Sequence, residues 1–234
     1  MIEICSKKTL FTLSPRLNLC AEYIRDGVSM ADIGTDHAYL PVWLKITGQI
    51  TSAIAADINI GPLQKAKETI EKYHADNIET RLSDGLYSIL ENEADDIVIA
   101  GMGGELIAEI ISNCPWKIGA TKHLILQPMT KPEVLRSFLF NNFFEIIKEQ
   151  AVVDHGKIYT VMLAKFSENK VSFSKSDIYI GKLCPKEKET DKQFLQKLIK
   201  QLQKRTFGLI KENKQSEAAK LQQIISEVKA ECGQ

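Results

Sequence analysis

The run Ala31-Asp32-Ile33-Gly34-Thr35-Asp36-His37-Ala38-Tyr39-Leu40-Pro41 brings two carboxylates, an imidazole and a phenol to one turn. A strand ending in Asp-x-Gly that turns into a helix makes a tight loop. Gly34 lets a ligand approach the backbone there, and the helix start offers free N–H groups. Turns of this kind begin many nucleotide-binding α/β sheets. The dinucleotide fingerprint Gly-x-Gly-x-x-Gly is not met, because Asp36 and other residues replace the later glycines. A carboxylate beside a pyrophosphate would repel it, so the turn suits a cationic or phosphate-free ligand rather than NAD.

Further carboxylates follow at strand ends. Thr51 to Asp57 is a small, mostly apolar run of the kind found in buried parallel strands. Asp57, twenty-five residues past Asp32, can there accept both hydroxyls of a ribose; a turn or cap aspartate is the plainer reading. Asn77 to Leu82 is a third strand candidate. Asp84-Gly85 beyond it can accept from an exocyclic amine such as that of adenine, although Asp-Gly alone signals only a turn. Asp95 to Met102 is the fourth strand, and Gly101, Gly103 and Gly104 leave its carboxyl end bare, where ligands sit in open α/β sheets. A fifth strand, Thr121 to Leu126, runs into Gln127-Pro128, facing the same crevice.

The remaining elements must hold these ends in place. Ser14 can cap a helix that starts at Pro15, carries Leu17, Leu19, Cys20, Tyr23 and Ile24 on one face and stops at Gly27. Arg16, at its exposed start, is kept as a substrate contact. Ala38 to Ile46 reads as a short helix with Pro41 in its first turn, Gly61 to Tyr73 and Pro132 to Asn142 as amphipathic helices. Phe144 to Val153 and Ile158 to Phe166 read as two strands joined by Asp154-His155-Gly156-Lys157. An antiparallel pair closing an otherwise parallel sheet separates this pattern from the NAD-type fold.

Residues 167–186 are polar and mark a boundary after a first domain of residues 1–166. Residues 187–234 are helical in composition, with Leu195, Leu198, Ile199, Leu202 and Leu209 on one stripe and Ala218, Leu221, Ile225 and Val228 on another. A turn over residues 211–216 makes them a helical hairpin, a short coiled coil. Its polar face carries Lys192, Lys197, Lys200, Lys204, Arg205, Lys211 and Lys214, either a solvated face or an arm that contacts RNA phosphates.

Acidic and basic residues are equal, 30 each, so total charge says nothing for nucleic acid. The five cysteines are scattered without Cys-x-x-Cys spacing, which indicates neither a metal site nor disulfides and fits reduced thiols in a cytoplasm. The start of the chain, with Glu3, Lys7 and Lys8, lacks a signal peptide's apolar stretch, and no apolar run reaches membrane-spanning length. A cytoplasmic protein, a monomer without metal, is expected.

Asp32-x-Gly34, Asp57 and Asp84 together resemble the S-adenosylmethionine-dependent methyltransferases of the Rossmann-like class. The resemblance sharpens along Asp32 to Pro41, Ala55-Ala56-Asp57-Ile58-Asn59-Ile60-Gly61-Pro62-Leu63, Asp96-Ile97-Val98-Ile99-Ala100-Gly101-Met102-Gly103-Gly104-Glu105-Leu106-Ile107 and Leu124-Ile125-Leu126-Gln127-Pro128. Over roughly residues 14–165, these runs look like the bacterial tRNA adenine-22 N1-methyltransferase family. The family more often has a glutamate where Asp57 stands, and an asparagine after Gln127-Pro128 where this chain has Met129 and Thr130. The resemblance implies a Rossmann-like α/β sheet, mostly parallel with an antiparallel last strand, and a C-terminal helical hairpin. It implies S-adenosylmethionine as cofactor, with Asp32, Gly34, Thr35 and His37 on its methionine part. Asp57 and Ile58 would meet its ribose, and Asp84 and Gly85 its adenine, with Gly101 and Gly103 alongside.

Adenine N1 has a usable lone pair, so its methylation needs no strong base, but the product ring gains positive charge. Asp36 is the leading candidate to stabilise that charge or accept a proton from the exocyclic amine. His37 is the second candidate; a histidine capping the helix is the competing reading. Tyr39 can stack on a base turned out of its helix, and Arg16, Tyr39, Gln127, Lys197, Lys204 and Arg205 form the expected tRNA-contacting set. Two other classes stay open: the same fold methylating a small molecule or protein, and an RNA-binding scaffold without transfer chemistry.

Overall fold

Strand and helix alternate through most of the computed structural model, which describes residues 10–233; Cys5 and the charged start of the chain lie outside these. In chain order come α1 (Pro15–Ala21), β1 (Val28–Ile33), α2 (Tyr39–Ile46), β2 (Ile50–Asp57), α3 (Ile60–Tyr73), β3 (Ile78–Leu82), β4 (Asp96–Gly103) and α4 (Gly104–Ser112). Then follow β5 (His123–Thr130), α5 (Pro132–Asn141), β6 (Phe144–Asp154), β7 (Lys157–Phe166), α6 (Asp177–Ile180), α7 (Glu189–Lys211) and α8 (Gln215–Glu231). The seven strands form one sheet in the order β3-β2-β1-β4-β5-β7-β6. Strands β1 to β5 pair in parallel, and β7 runs antiparallel to both neighbours. The last strand in the chain is thus the antiparallel one, but β6 holds the edge. Strand order turns back between β1 and β4, which opens a crevice at their carboxyl ends.

The central strands are apolar along their length because helices cover both sheet faces. Ile97, Val98 and Ile99 of β4 and Leu124, Ile125 and Leu126 of β5 are completely buried. Val98 and Ile125 face Leu19, Leu40 and Leu44 of α1 and α2, whereas Ile97 and Leu124 face Ile107 and Leu139 of α4 and α5.

Three local details differ from the sequence reading. Helix α1 ends at Ala21, so Tyr23 and Ile24 enter the core from a turn, and Ser14 occupies the cap position without a side-chain capping bond. Strand β5 continues through Gln127 and Pro128 to Thr130. A proline fits there because β4 bulges opposite it: Ala100 pairs with Gln127 and Met102 with Pro128, leaving Gly101 as the extra residue at φ +80°. The β6–β7 turn tightens to His155-Gly156, both at positive φ, as a twisted two-residue hairpin needs.

Residues 167–186 pack on the fold: Phe173 stacks on Phe140 at 5.0 Å, and Leu183 is buried with the apolar faces of α7 and α8. Two buried polar ties hold this region. Asp191, fully buried, accepts from the N–H groups of Ala151 (2.7 Å) on β6 and Cys184 (2.9 Å). Arg136 of α5 pairs with Glu149 of β6 at 2.7 Å and donates to the carbonyls of Ile178 and Tyr179. Gly181, at φ +65°, passes so close that an added Cβ would lie 1.9 Å from Glu149 Oε2. Glu149→Gln leaves the Arg136 charge uncompensated, and is expected to lower unfolding free energy by about 3–5 kcal/mol, read as a shift in urea midpoint.

Candidate active site

The carboxyl ends of the strands enclose a cavity of about 650 Å³, lined among others by Arg16, Asp32, Gly34, Thr35, Asp36, Tyr39 and Gly101. A second hollow of about 130 Å³ surrounds Asp84, Gly85, Leu86, Tyr87 and Leu106. Asp57 ends β2, next to β1 and β3, and its Oδ1 accepts the Asn59 N–H at 2.7 Å. The three carboxylates expected from the sequence therefore follow the carboxyl ends of the neighbouring strands β1, β2 and β3 in turn.

Gly34 is held tightly. Its φ is +74°, and an added Cβ would sit 1.9 Å from the Met102 methyl carbon. The N–H groups of Gly34 and Thr35 both donate to the Ala56 carbonyl, at 2.8 and 2.9 Å, which ties the turn to the end of β2. His37 and Ala38 then adopt φ of +63° and +52°, unusual for residues with a Cβ and a store of local strain. This path turns Asp36 outward at the lip of the cavity, with its side chain 73% exposed and the His37 Nε2 at 3.5 Å. The His37 ring stacks on Tyr39 at 5.1 Å, and Tyr39 meets Phe11 edge-on at 5.1 Å, so a wall of rings borders the cavity.

Asp32 behaves differently from Asp36. Burial pushes its carboxyl up to about 6; the nearby Thr35 hydroxyl opposes the rise and the Asp57 charge adds to it. A cationic ligand would favour its charged form.

Arg16 is the part that sequence spacing concealed. Its Nε lies 3.1 Å from Asp154 Oδ2 at the end of β6, and its Nη1 donates to Gln127 Oε1 at 3.1 Å. The same Gln127 oxygen accepts the Gly101 N–H at 3.1 Å. Gln127, expected at the crevice surface, is completely buried and reaches the cavity only through Arg16 and Gly101. In the sequence Asp154 is only part of a turn, and nothing local relates it to Arg16.

Around Asp84 the exposed apolar residues Ile58, Leu82, Tyr87 and Leu106 offer faces for a planar ring. Ile58 is expected from the sequence beside the ribose rather than here; Tyr87 and Leu106 are not among the expected residues, although each closely follows a glycine turn. Gly85, at φ +54°, packs 3.0 Å from Ile110 as measured from an added Cβ, and Gly103 caps α4 beside Thr130. Lys197 and Lys204 lie on the exposed side of α7, whereas Arg205 lines a different groove with Glu133 and Tyr179. None of these three lines the cavity. Among the described residues no group of three His, Cys, Asp or Glu could hold a metal ion, and no helix is long and apolar enough to cross a membrane.

Taken together, the crevice can hold an elongated ligand: a cationic end at Asp32, a diol at Asp57 and a planar base at Asp84. A reacting group would enter beside Asp36, Arg16 and Gly101. The raised Asp32 pKa has a thermodynamic consequence. The native state binds this proton more tightly than the unfolded chain, so stability is lost as pH rises from about 4 through about 6. Asp32→Asn should therefore make the ligand-free protein more stable at pH 8, by at most about 3 kcal/mol, with the difference vanishing near pH 4 in denaturant titrations.

Residues 13–162 match a family model described as a methyltransferase domain. The chain is 38% identical over 194 residues to the tRNA (adenine(22)-N(1))-methyltransferase of Bacillus subtilis (strain 168), covering 82% of each chain. The crystal structure of the B. subtilis m1A22 tRNA methyltransferase TrmK superimposes with a TM-score of 0.83 at 33% identity, covering 93% of this chain and 98% of that one. Streptococcus pneumoniae Sp1610 in complex with S-adenosyl-L-methionine superimposes with a TM-score of 0.79 at 33% identity, covering 93% and 99%.

Proposed function

The chain belongs to the family of tRNA (adenine(22)-N(1))-methyltransferases, and from that premise we propose that it methylates N1 of adenine 22 in tRNA. Its methyl donor is S-adenosylmethionine. The observation that carries this reading is the row Asp32, Asp57 and Asp84 at or just beyond the carboxyl ends of the adjacent strands β1, β2 and β3. These residues fit the donor: its ammonium and sulfonium are cations, its ribose a diol, its adenine a planar base with an amine donor. It has no phosphate, so Asp36 in place of a glycine faces no pyrophosphate.

When bound, S-adenosylmethionine supplies a methyl group on a sulfonium for in-line displacement by the adenine nitrogen. The protein's task is mainly placement. Asp32 would draw the cationic end into the cavity, whose wall Gly34 and Gly101 help to form. Asp36 stands at the lip with its carboxylate free to meet the incoming base. There it stabilises the positive charge that develops on the ring, or accepts a proton from the exocyclic amine. Arg16, its charge balanced by Asp154, offers donors beside Gly101 that orient the base without adding net positive charge. The wall of His37, Tyr39 and Phe11 gives the base a surface to stack on once it leaves its helix.

The helical hairpin is the second contact with tRNA in this proposal, through Lys197 and Lys204 of α7. Residues 1–166 form the methyltransferase domain, 167–186 the connection and 187–234 the tRNA-contacting arm. The protein works as a monomer in the cytoplasm; the free thiols of Cys20, Cys114, Cys184 and Cys232 agree with a reducing compartment.

Incubation of the protein with labelled S-adenosylmethionine and unmodified tRNA, followed by nucleoside analysis, is expected to place label in 1-methyladenosine. Asp36→Ala should lower kcat by about 10²- to 10⁴-fold, the range for a positioned acid–base group, and leave affinity for S-adenosylhomocysteine within a few-fold. Undiminished kcat in the variant would remove Asp36 from catalysis. Label in no nucleoside, despite cofactor binding, would redirect the reading to a small-molecule or protein substrate.

A further inference from the structure

From Lys192 to Lys211, α7 contains Lys192, Lys197, Lys200, Lys204, Arg205 and Lys211 and no acidic residue. In a chain with 30 acids and 30 bases, this is a local segregation of charge. At 3.6 residues per turn, Lys197, Lys200, Lys204, Phe207 and Lys211 fall within a sector of about 80°, in a stripe about 21 Å long. The stripe points away from Leu195, Ile199, Leu202 and Thr206, the buried side of the helix. All five of its side chains are exposed. None of its four lysines joins an ion pair among the described residues.

Phe207 breaks the cationic pattern. It is 60% exposed, and its ring lies 4.5 Å from the Lys211 Nζ. The hairpin core does not use it, since the buried contacts of α7 run along the opposite side. A row of lysines follows phosphates but gives a base nothing to rest on; an aromatic ring set in that row supplies the missing face. The surrounding charge selects the partner. A lone exposed ring would suit many surfaces, whereas one ringed by unpaired cations suits a polyanion that also carries flat apolar groups.

We infer that Phe207 is a base-stacking anchor, receiving an unpaired base of bound tRNA while Lys197, Lys200, Lys204 and Lys211 follow the neighbouring phosphates. The inference rests on the tRNA methyltransferase reading and adds to it a second base-contacting point, outside the cavity. Phe207 touches neither cofactor nor reacting base, so it governs tRNA affinity and not the transfer step.

The test is a titration of the full-length protein, saturated with S-adenosylhomocysteine, with unmodified tRNA transcript at a series of salt concentrations. Phe207→Ala should weaken binding about 5- to 100-fold at every salt concentration, as loss of one stacked base does, with an unchanged slope of log affinity against log salt. Lys204→Gln should instead flatten that slope by about 0.7–0.9, the ion release of one phosphate. Phe207→Trp should keep the affinity, and its emission should be quenched by tRNA beyond any change seen with Trp43 and Trp116 alone. Wild-type affinity in Phe207→Ala, or tryptophan emission unaltered by tRNA, overturns the assignment while 1-methyladenosine formation by the wild type keeps the enzyme reading intact. Wild-type protein that neither binds nor methylates tRNA overturns both. Loss of binding to anionic phospholipid vesicles in Phe207→Ala, with tRNA affinity retained, assigns the ring to a membrane surface instead.

Discussion

Opposite one residue of β5 stand two of β4, and Gly101 is the extra one. A bulge takes the Gly101 N–H out of the sheet ladder, where an unpaired donor would cost about 1–3 kcal/mol. The Gln127 amide oxygen takes that hydrogen bond, which obliges its side chain to lie inside the fold. The same oxygen accepts from Arg16, whose other edge is held by Asp154. One irregularity in a strand pair thus draws α1, β4, β5 and β6 to a common point. Without a Cβ, Gly101 also leaves room for the guanidinium, 3.5 Å from where that carbon would be. The bulge lies at the carboxyl end of a central strand, where a parallel sheet offers its ligand site.

Around this point the structure is kept away from its most stable arrangement. Asp32 is buried beside the crevice with another carboxylate, Asp57, close enough to raise its pKa further. His37 and Ala38 hold left-handed backbone angles that a chain free to relax would leave. The fully buried strands behind them, β4 and β5 above all, supply the rigidity that keeps such a loop in place. For a cationic ligand the buried charge becomes an attraction, so what weakens the empty protein strengthens the complex.

The hairpin is joined to this centre by buried polar ties rather than by a free linker. Asp191 binds backbone on both β6 and the connecting segment, and the Arg136–Glu149 pair binds α5, β6 and α6 to one another. Arms fixed in this way keep a set spacing from the crevice. In a chain with no net charge, α7 gathers Lys197, Lys200, Lys204 and Lys211 on one exposed face.

Local chemistry made much of this legible from residues alone. Apolar runs of strand length ending in Asp32, Asp57 and near Asp84, and the glycines at the end of β4, report turn geometry and burial through nearest neighbours. The same holds for the two apolar stripes of the hairpin. What escaped depends on contacts between distant segments. Nothing near Arg16 announces Asp154, and a glutamine after a strand reads equally well as a surface contact or as the buried partner of a bulge. Lys204 and Arg205 are adjacent in the chain, yet about 100° of helical rotation sends one to the outer face and the other into a groove with Glu133. Strand β7, last in sequence, lies between β5 and β6, a placement made by pairing with β5, far away in the chain. Partner choice is a property of the packed elements together, and periodicity within one element carries no record of it.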